Sequence, residues 1–304
     1  SQMKVCVLLS TYNGETYLAE QLESIFRQEQ VALSLYVRDD GSQDRTWQIL
    51  SDYARQYRHL RLFRGENLGA AKSFFWLLEH ADAAADYFSF SDQDDVWHPD
   101  KLARALAYLS QADDSAPLLY FSRFEIVDAQ LRHLAYSPRA RRLGFANALV
   151  QNQATGCTMV FNRTLRSLIL SALPERTIMH DWWIYLVASA FGTLLYDETP
   201  TLKYRQHTQN AIGTSVTLLN KMQRHWKSLT QGNSRIFRLS QQAREFEKCF
   251  GAKLAAQESR ILQRFLQSKQ QFSARIGYLL TGEALRQSFL DNVILKTVIA
   301  LNRY

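Results

Sequence analysis

Lys4–Ser10 is an unbroken apolar run, the pattern of a strand covered on both faces rather than one. Thr16–Gln28 follows at helical period, with Leu18, Leu22, Ile25 and Phe26 on one side. The unit then repeats. Leu33–Val37 predicts a second strand and Asp44–Tyr57 a second helix, with Asp44 placed as its cap. His59–Phe63 and Ala70–His80 form the next pair, and Asp86–Phe90 is a fourth strand before a helix entered through Pro99. Strands separated by helices of this length pair in parallel through right-handed crossovers. The sequence therefore predicts an α/β fold with a doubly wound, mostly parallel sheet.

After Pro117 the pattern is mixed. Leu118–Val127, Thr155–Phe161, Thr193–Asp197 and Thr201–Tyr204 read as strands, and Leu165–Ala172 and Asp181–Phe191 as helices. From about Thr217 only helical periodicity remains, in Ile261, Leu262, Phe265 and Leu266 and then Phe289, Val293, Ile294 and Ile299. This predicts a catalytic domain over residues 3–216 and a helical C-terminal appendage over 217–304. The appendage is basic: residues 221–304 carry 15 Lys and Arg against 5 Asp and Glu, or +10, within a chain of net charge +7. Such a surplus points to an anionic membrane surface or another anion, and equally to an ordinary solvated face. The apolar positions of the tail also permit packing against a second subunit. Cys6, Cys157 and Cys249 are too few and too scattered for a disulfide framework or a zinc cluster, and free thiols suit a reducing cytoplasm. No apolar run approaches the roughly 18 residues of a membrane span. The expected location is cytoplasmic, peripheral at most to the inner face of the cell membrane.

Ligands of open α/β sheets bind at the carboxyl ends of strands. Three predicted strand ends carry polar punctuation: Ser10-Thr11-Tyr12-Asn13-Gly14, then Arg38-Asp39-Asp40-Gly41-Ser42-Gln43-Asp44, then Ser91-Asp92-Gln93-Asp94-Asp95. Singly the first two are ordinary turns; together they predict one site, with Thr11 and Tyr12 lining a base pocket and Asp39 accepting from base or ribose. Gly-x-Gly-x-x-Gly and Walker sequences are absent, which removes the main support for dinucleotide and P-loop readings. Three carboxylates within four residues repel one another unless a cation is present, and a hard divalent ion shared with substrate phosphates is the usual solution. Asp181 opens an apolar helix as His180-Asp181-Trp182-Trp183, where it serves as an N-cap, as a general base, or as both.

These segments, with Asn67-Leu68-Gly69, resemble family 2 glycosyltransferases of the GT-A fold over about the first 210 residues. Asp-Gln-Asp-Asp-Val-Trp, the later His-Asp-Trp and Tyr204-Arg-Gln-His-x-x-Asn210 are most similar to bacterial rhamnosyltransferases of surface-polysaccharide (O-antigen or capsule) assembly. The resemblance implies that Thr11, Tyr12 and Asp39 hold the nucleoside of a nucleotide-diphosphate sugar. Asn13, Asp40, Asn67, Lys72 and Gln93 complete the donor-binding candidates. Asp92 and Asp94 form the Asp-x-Asp pair for Mn2+ or Mg2+, Asp94 as the more direct ligand and Asp92 nearer the ribose. Asp181 stands at the position of the catalytic base. His207 stands where some relatives add a metal or phosphate ligand. Gln151, Asn152, Trp182 and Trp183 are placed on the acceptor side by position only.

The implied reaction is inverting transfer of a sugar, L-rhamnose from dTDP-rhamnose, to a hydroxyl of a saccharide acceptor that is lipid-linked. Galactose, galactofuranose and glucose are alternative sugars. No nucleic-acid partner is expected, and a homo-oligomer is compatible with the sequence. A nucleotidyltransferase would need a glycine- and basic-rich phosphate loop near the first strand. A non-catalytic nucleotide-binding protein would be expected to lack the base at Asp181.

Overall fold

A computed structural model describes residues 2–206 and 239–304. The described chain forms two compact units, the first within Ser1–Arg139, Ala154–Leu173 and Met179–His207, the second within Ala140–Gln153, Pro174–Ile178 and Thr208–Tyr304.

The first unit opens with β1 (Lys4–Thr11), α1 (Leu18–Phe26), β2 (Ala32–Asp39), α2 (Thr46–Gln56), β3 (Leu60–Arg64), α3 (Ala70–Glu79) and β4 (Tyr87–Ser91). It continues through β5 (Val96–Trp97), α4 (Lys101–Leu109), β6 (Leu118–Ser122), β7 (Glu125–Val127) and β8 (His133–Tyr136). Between these and the closing segments lies α5 (Phe145–Ala148), which belongs to the second unit. The first unit ends with β9 (Val160–Asn162), α6 (Arg163–Ser171), α7 (His180–Phe191), β10 (Thr193–Asp197) and β11 (Leu202–Arg205). One sheet of seven strands runs β10-β6-β9-β4-β1-β2-β3, and a second of four runs β5-β11-β7-β8. In the large sheet β3, β2, β1 and β4 are parallel, while β9 lies antiparallel to both β4 and β6. This is the doubly wound, mostly parallel sheet that the alternation predicts. Val5 to Leu9 of β1 are wholly buried, as expected of a central strand with helices on both faces. At about 1.5–3 kcal/mol for each fully buried aliphatic side chain, that strand is a main anchor of the core.

Two predicted strands are shorter than the apolar runs that suggested them. Leu118–Val127 is split: β6 joins the large sheet and β7 the small one. At the break Arg123 N donates to Asp197 O and Phe124 N to Ser137 Oγ, so the backbone changes partners within two residues. Thr155–Phe161 begins as a 3₁₀ turn, Gly156–Thr158, closed by Thr158 N on Thr155 O and Met159 N on Gly156 O. The strand after it ends where Asn162 Oδ1 caps α6 by accepting from Leu165 N at 3.0 Å. β8 escaped the sequence reading because all four of its residues are exposed and no alternation marks it.

In the second unit α8 (Leu239–Phe250), α9 (Ala256–Gln270), α10 (Phe272–Thr281) and α11 (Phe289–Ala300) form a helical assembly. Ile261, Leu262, Phe265 and Leu266 are buried, as their spacing predicts. Ile294 and Ile299 are also buried, whereas Phe289 and Val293 are exposed. Cys6 and Cys157 are buried free thiols, and Cys249 is a free thiol with partial exposure.

Candidate active site

β1, β2 and β4 are parallel neighbours, so their carboxyl ends and the loops after them lie at one edge of the large sheet. Thr11 ends β1, fully buried, and its Oγ1 donates to Asp39 Oδ1 at 2.9 Å. Ser42 completes the grip on Asp39, its N donating to Oδ2 at 3.0 Å and its Oγ to Oδ1 at 2.5 Å. Arg64 Nε stands 3.8 Å from Asp39 Oδ2. The tight loop needs Gly41, whose φ of +89° is strained for any residue with a Cβ.

Asp40 is held differently. Its carboxylate takes Arg38 Nη1 at 2.5 Å, Leu68 N at 2.8 Å and Gly69 N at 3.0 Å, with both charged side chains buried. Arg38 also donates to Ser73 Oγ and Glu66 O. Asp40 thus fixes the loop carrying Asn67 ahead of α3; Asn67 and Lys72 themselves are exposed.

Beyond β1, Tyr12 is 48% exposed, leaving its ring open to a ligand. Gln93 clasps its backbone, accepting from Tyr12 N at 2.9 Å and donating to Tyr12 O at 3.0 Å. A Cβ on Gly14 would lie 2.2 Å from Gln93 Oε1, so a side chain there would displace the Gln93 amide. Asn13 turns with φ of 46°, donating from its N to Ser42 Oγ and accepting from Gln43 N. Thr11, Asp39 and Asn13 are thus joined through Ser42, and Tyr12 with Gln93 forms a clasp next to them in the chain.

The acidic loop follows β4. Asp92 and Asp94 are half-buried and Asp95 is sealed. Crowding by protein, with the charges of Asp94 and Asp181, pushes the Asp92 carboxyl up to about 7. Burial, then Asp92 and Asp94, push Asp95 well above the usual carboxylate range. Asp95 Oδ2 is buried without a hydrogen-bond partner. Ligand atoms of Asp92, Asp95 and Cys157 lie within 4.8 Å of one another. A carboxylate group with an orphaned buried oxygen is a donor set that fits a hard divalent cation. Cys157 is a poor ligand for such an ion, since burial keeps its thiol protonated. Below the loop, Lys101 is fully buried with Nζ 4.2 Å over the Trp97 ring, and burial lowers it to about 8.

Asp181 approaches this loop from α7, close enough for its charge to raise Asp92. Its Oδ2 accepts from Gly156 N at 2.9 Å and its Oδ1 from Trp182 N at 2.7 Å. A Cβ on Gly156 would sit 3.0 Å from His180 Nε2 and 3.3 Å from Asp181 Cβ, so the 3₁₀ turn approaches the start of α7 closely at this glycine. His180 stacks on Phe74 at 4.1 Å and meets Phe90 edge-on, buried and held neutral with its pKa lowered to about 4 by desolvation. The start of α7 is thereby locked. Trp182 is half-buried beside Asp181, and Trp183 is sealed in the core.

Gln151 and Asn152 belong to the second unit, where Gln151 Oε1 accepts from Gln287 N at 2.9 Å. His207 lies outside the described residues. Arg205 is a participant that the sequence reading did not single out. Buried at the end of β11, it donates through Nε to Asp94 O at 2.9 Å and through Nη1 to Ala129 O. Nη2 reaches Glu20 at 3.1 Å, the guanidinium lies 4.0 Å over Tyr17, and Arg205 N meets Asp95 Oδ1 at 3.4 Å. It braces the acidic loop from more than a hundred residues away; only the spelling Tyr204-Arg205-Gln206 hinted at it.

The pattern of the family described as Glycosyl transferase family 2 matches residues 6–171. A dTDP-rhamnosyl transferase of Shigella flexneri, RfbG, is 30% identical over 235 residues, covering 71% of this chain and 77% of the relative. The S. aureus TarS 1–349 structure in complex with UDP-GlcNAc superposes with TM-score 0.56 at 16% identity, covering 99% of this chain and 93% of that one. The mannosyltransferase PcManGT from Pyrobaculum calidifontis, in complex with GDP-Man and Mn2+, gives TM-score 0.50 at 18% identity, covering 98% and 86%. These two likenesses concern the fold, which is GT-A. With the family pattern running from β1 through α6, the chain belongs to glycosyl transferase family 2 and is a glycosyltransferase.

Proposed function

We propose that the enzyme is an inverting, metal-dependent transferase that moves L-rhamnose from dTDP-rhamnose to a hydroxyl of a saccharide acceptor in bacterial polysaccharide assembly, of the O-antigen type. The observation that carries the mechanism is that Asp181 is hydrogen-bonded to Gly156 N, next to the Cys157 whose Sγ lies within 4.8 Å of the Asp92 and Asp95 carboxylates. The rhamnosyl donor is supported by the Shigella relative.

In this reading Asp181 takes the proton of the acceptor hydroxyl as its oxygen attacks the anomeric carbon. The bond to the diphosphate breaks on the opposite face, through an oxocarbenium-like state, and configuration inverts. Thr11, Tyr12 and Asp39 hold the nucleoside; Asn13, Asp40, Asn67, Lys72 and Gln93 shape the donor side. Asp92 and Asp94, the half-buried carboxylates of the loop, are the groups that would hold Mn2+ or Mg2+, with Asp95 within 4.8 Å of Asp92. When bound, the cation supplies charge stabilisation to the nucleoside diphosphate leaving group. The Gly156 N–H and Trp182 N–H bonds keep the Asp181 oxygens aimed. Trp182 is the acceptor-side candidate beside Asp181, whereas Trp183 is sealed in the core and Gln151 and Asn152 belong to the second unit; His207 is a further metal or phosphate ligand. The catalytic region is assigned to 3–216 and the basic helical region to 217–304, working in the cytoplasm at the inner face of the membrane on a lipid-linked acceptor.

A thermal-shift and saturation-transfer panel of nucleoside diphosphates and their sugars, with and without Mn2+, tests this on wild type and Asp94→Ala. Metal-dependent binding of dTDP-rhamnose, lost in Asp94→Ala, is expected. Preference for a uridine or guanosine donor would replace the sugar assignment, and absence of any nucleotide binding would remove the mechanism.

A further inference from the structure

We infer that the outward apolar face of α10 and α11 is the surface by which the protein lies against an anionic lipid bilayer. The inference rests on the proposed membrane-proximal role and deepens it by naming the contact surface. Among the described residues twelve large apolar side chains are exposed, and six of them fall between Phe272 and Leu301. Phe272 is 71%, Leu280 79% and Phe289 85% exposed. Phe272, Ile276 and Leu280 recur every four residues, so they share one face of α10, while Tyr278 is buried on another. In α11, Ile294, Leu295, Val298 and Ile299 are buried, which leaves Phe289 and Val293 on the outward side with Lys296. The two helices are consecutive and pack together. A cluster of this kind marks a contact surface rather than scattered apolar residues.

Charge selects the occupant. Residues 239–304 carry 10 Lys and Arg against 5 Asp and Glu. Glu283 is engaged by Arg260 at 3.1 Å and Arg264 at 3.3 Å, and Glu175 by Lys248 at 2.8 Å. Lys269 and Arg275 turn their donors to Asn302 O, Ser268 O and Lys269 O, which satisfies hydrogen bonds but cancels no charge. Lys296 is exposed three residues beyond Val293. Between Phe272 and Leu301 the accessible charges are Arg275 and Lys296 against Glu283 and Asp291, so the surplus belongs to residues 239–304 as a whole, and an anionic leaflet complements it. No helix among the described residues is long and apolar enough to cross a membrane. Helices of 10 and 12 residues that present an exposed apolar face instead lie in the interfacial plane.

The test is cosedimentation of the full chain with phosphatidylglycerol–phosphatidylcholine vesicles and with phosphatidylcholine alone, using wild type and the Leu280→Glu/Phe289→Glu variant. Both substituted positions are exposed, so the fold is retained, which circular dichroism checks. Wild type is expected to bind anionic vesicles, more weakly as salt rises, and the variant about tenfold or more weakly, since two apolar side chains no longer enter the interface. Donor turnover with a soluble acceptor stays unchanged and reports on the transferase assignment separately. A variant that binds like wild type overturns this surface while leaving membrane association standing. Wild type that ignores anionic vesicles overturns both. A wild-type dimer in solution that the variant dissociates overturns the inference in favour of a second copy as occupant.

Discussion

Replacing Arg38 with Met should unfold the donor side of the enzyme from within. Arg38 and Asp40 side chains are each 4% exposed, and their contact at 2.5 Å compensates the buried charge of Asp40. Two backbone donors, Leu68 N at 2.8 Å and Gly69 N at 3.0 Å, depend on the same carboxylate. Removing the guanidinium leaves a carboxylate buried without a counter-charge and strips Ser73 Oγ and Glu66 O of a donor. Breaking a buried pair from one side costs about 3–5 kcal/mol, against about 0–1 kcal/mol for an exposed pair. For a unit of this size that is roughly a 6–20 °C fall in Tm. Urea denaturation followed by tryptophan fluorescence measures it. Arg38→Met/Asp40→Asn should recover part of the loss, because the uncompensated charge disappears. Since Asp40 ties down the loop before α3, surviving enzyme should show a raised KM for donor with kcat less affected. A loss below about 1 kcal/mol would mean that the pair behaves as a solvated one, and the reasoning from burial would fail.

What the sequence made legible was local in origin. β1 is an apolar run because both its faces are covered, and the polar residues after β1, β2 and β4 stand out because a ligand edge interrupts such runs. Thr11, Asp39 and the Asp92–Asp94 loop could be seen for that reason. The partners that fix them could not. Arg205 reaches Asp94 O across 111 positions, and Ser42 looks like any loop serine until it is found on both Asp39 oxygens. The close contact at Gly14 comes from Gln93, which no spacing rule connects to it. Asp40 reads in sequence like its neighbour Asp39, yet its oxygens serve Arg38 and the loop before α3. β8 was missed because an exposed strand of four residues carries no periodic signal.

Three further outcomes follow from the site. Asp181→Asn should lower kcat by about 10²–10⁴ while donor KM changes little, since the amide oxygen still accepts from a backbone N–H but takes no proton; initial rates at saturating donor measure this, and near-wild-type kcat would exclude Asp181 as the base. Gly14→Ala forces Gln93 off the Tyr12 backbone and should raise donor KM about tenfold, the loss of one to two hydrogen bonds, with kcat nearly kept; an unchanged KM would show that the clasp does not shape the donor site. The last concerns protons and metal. Asp92 is raised to about 7 in the folded protein, against roughly 3.9 in an unfolded chain. Between those values the folded state holds a proton that the unfolded state has released. The stability this group contributes is therefore present below about pH 4 and is lost as pH rises through 7. A divalent cation reverses the balance, because it replaces the proton as the partner of the crowded carboxylates. Its affinity should fall by about tenfold for each pH unit below 7 through this one group. Thermal shifts with Mn2+ are then expected to be larger at pH 8 than at pH 5.5 in wild type, and nearly equal in Asp92→Asn. Equal shifts at both pH values in wild type would mean that Asp92 is not displaced from its proton by the metal, and that the cation is held by other groups.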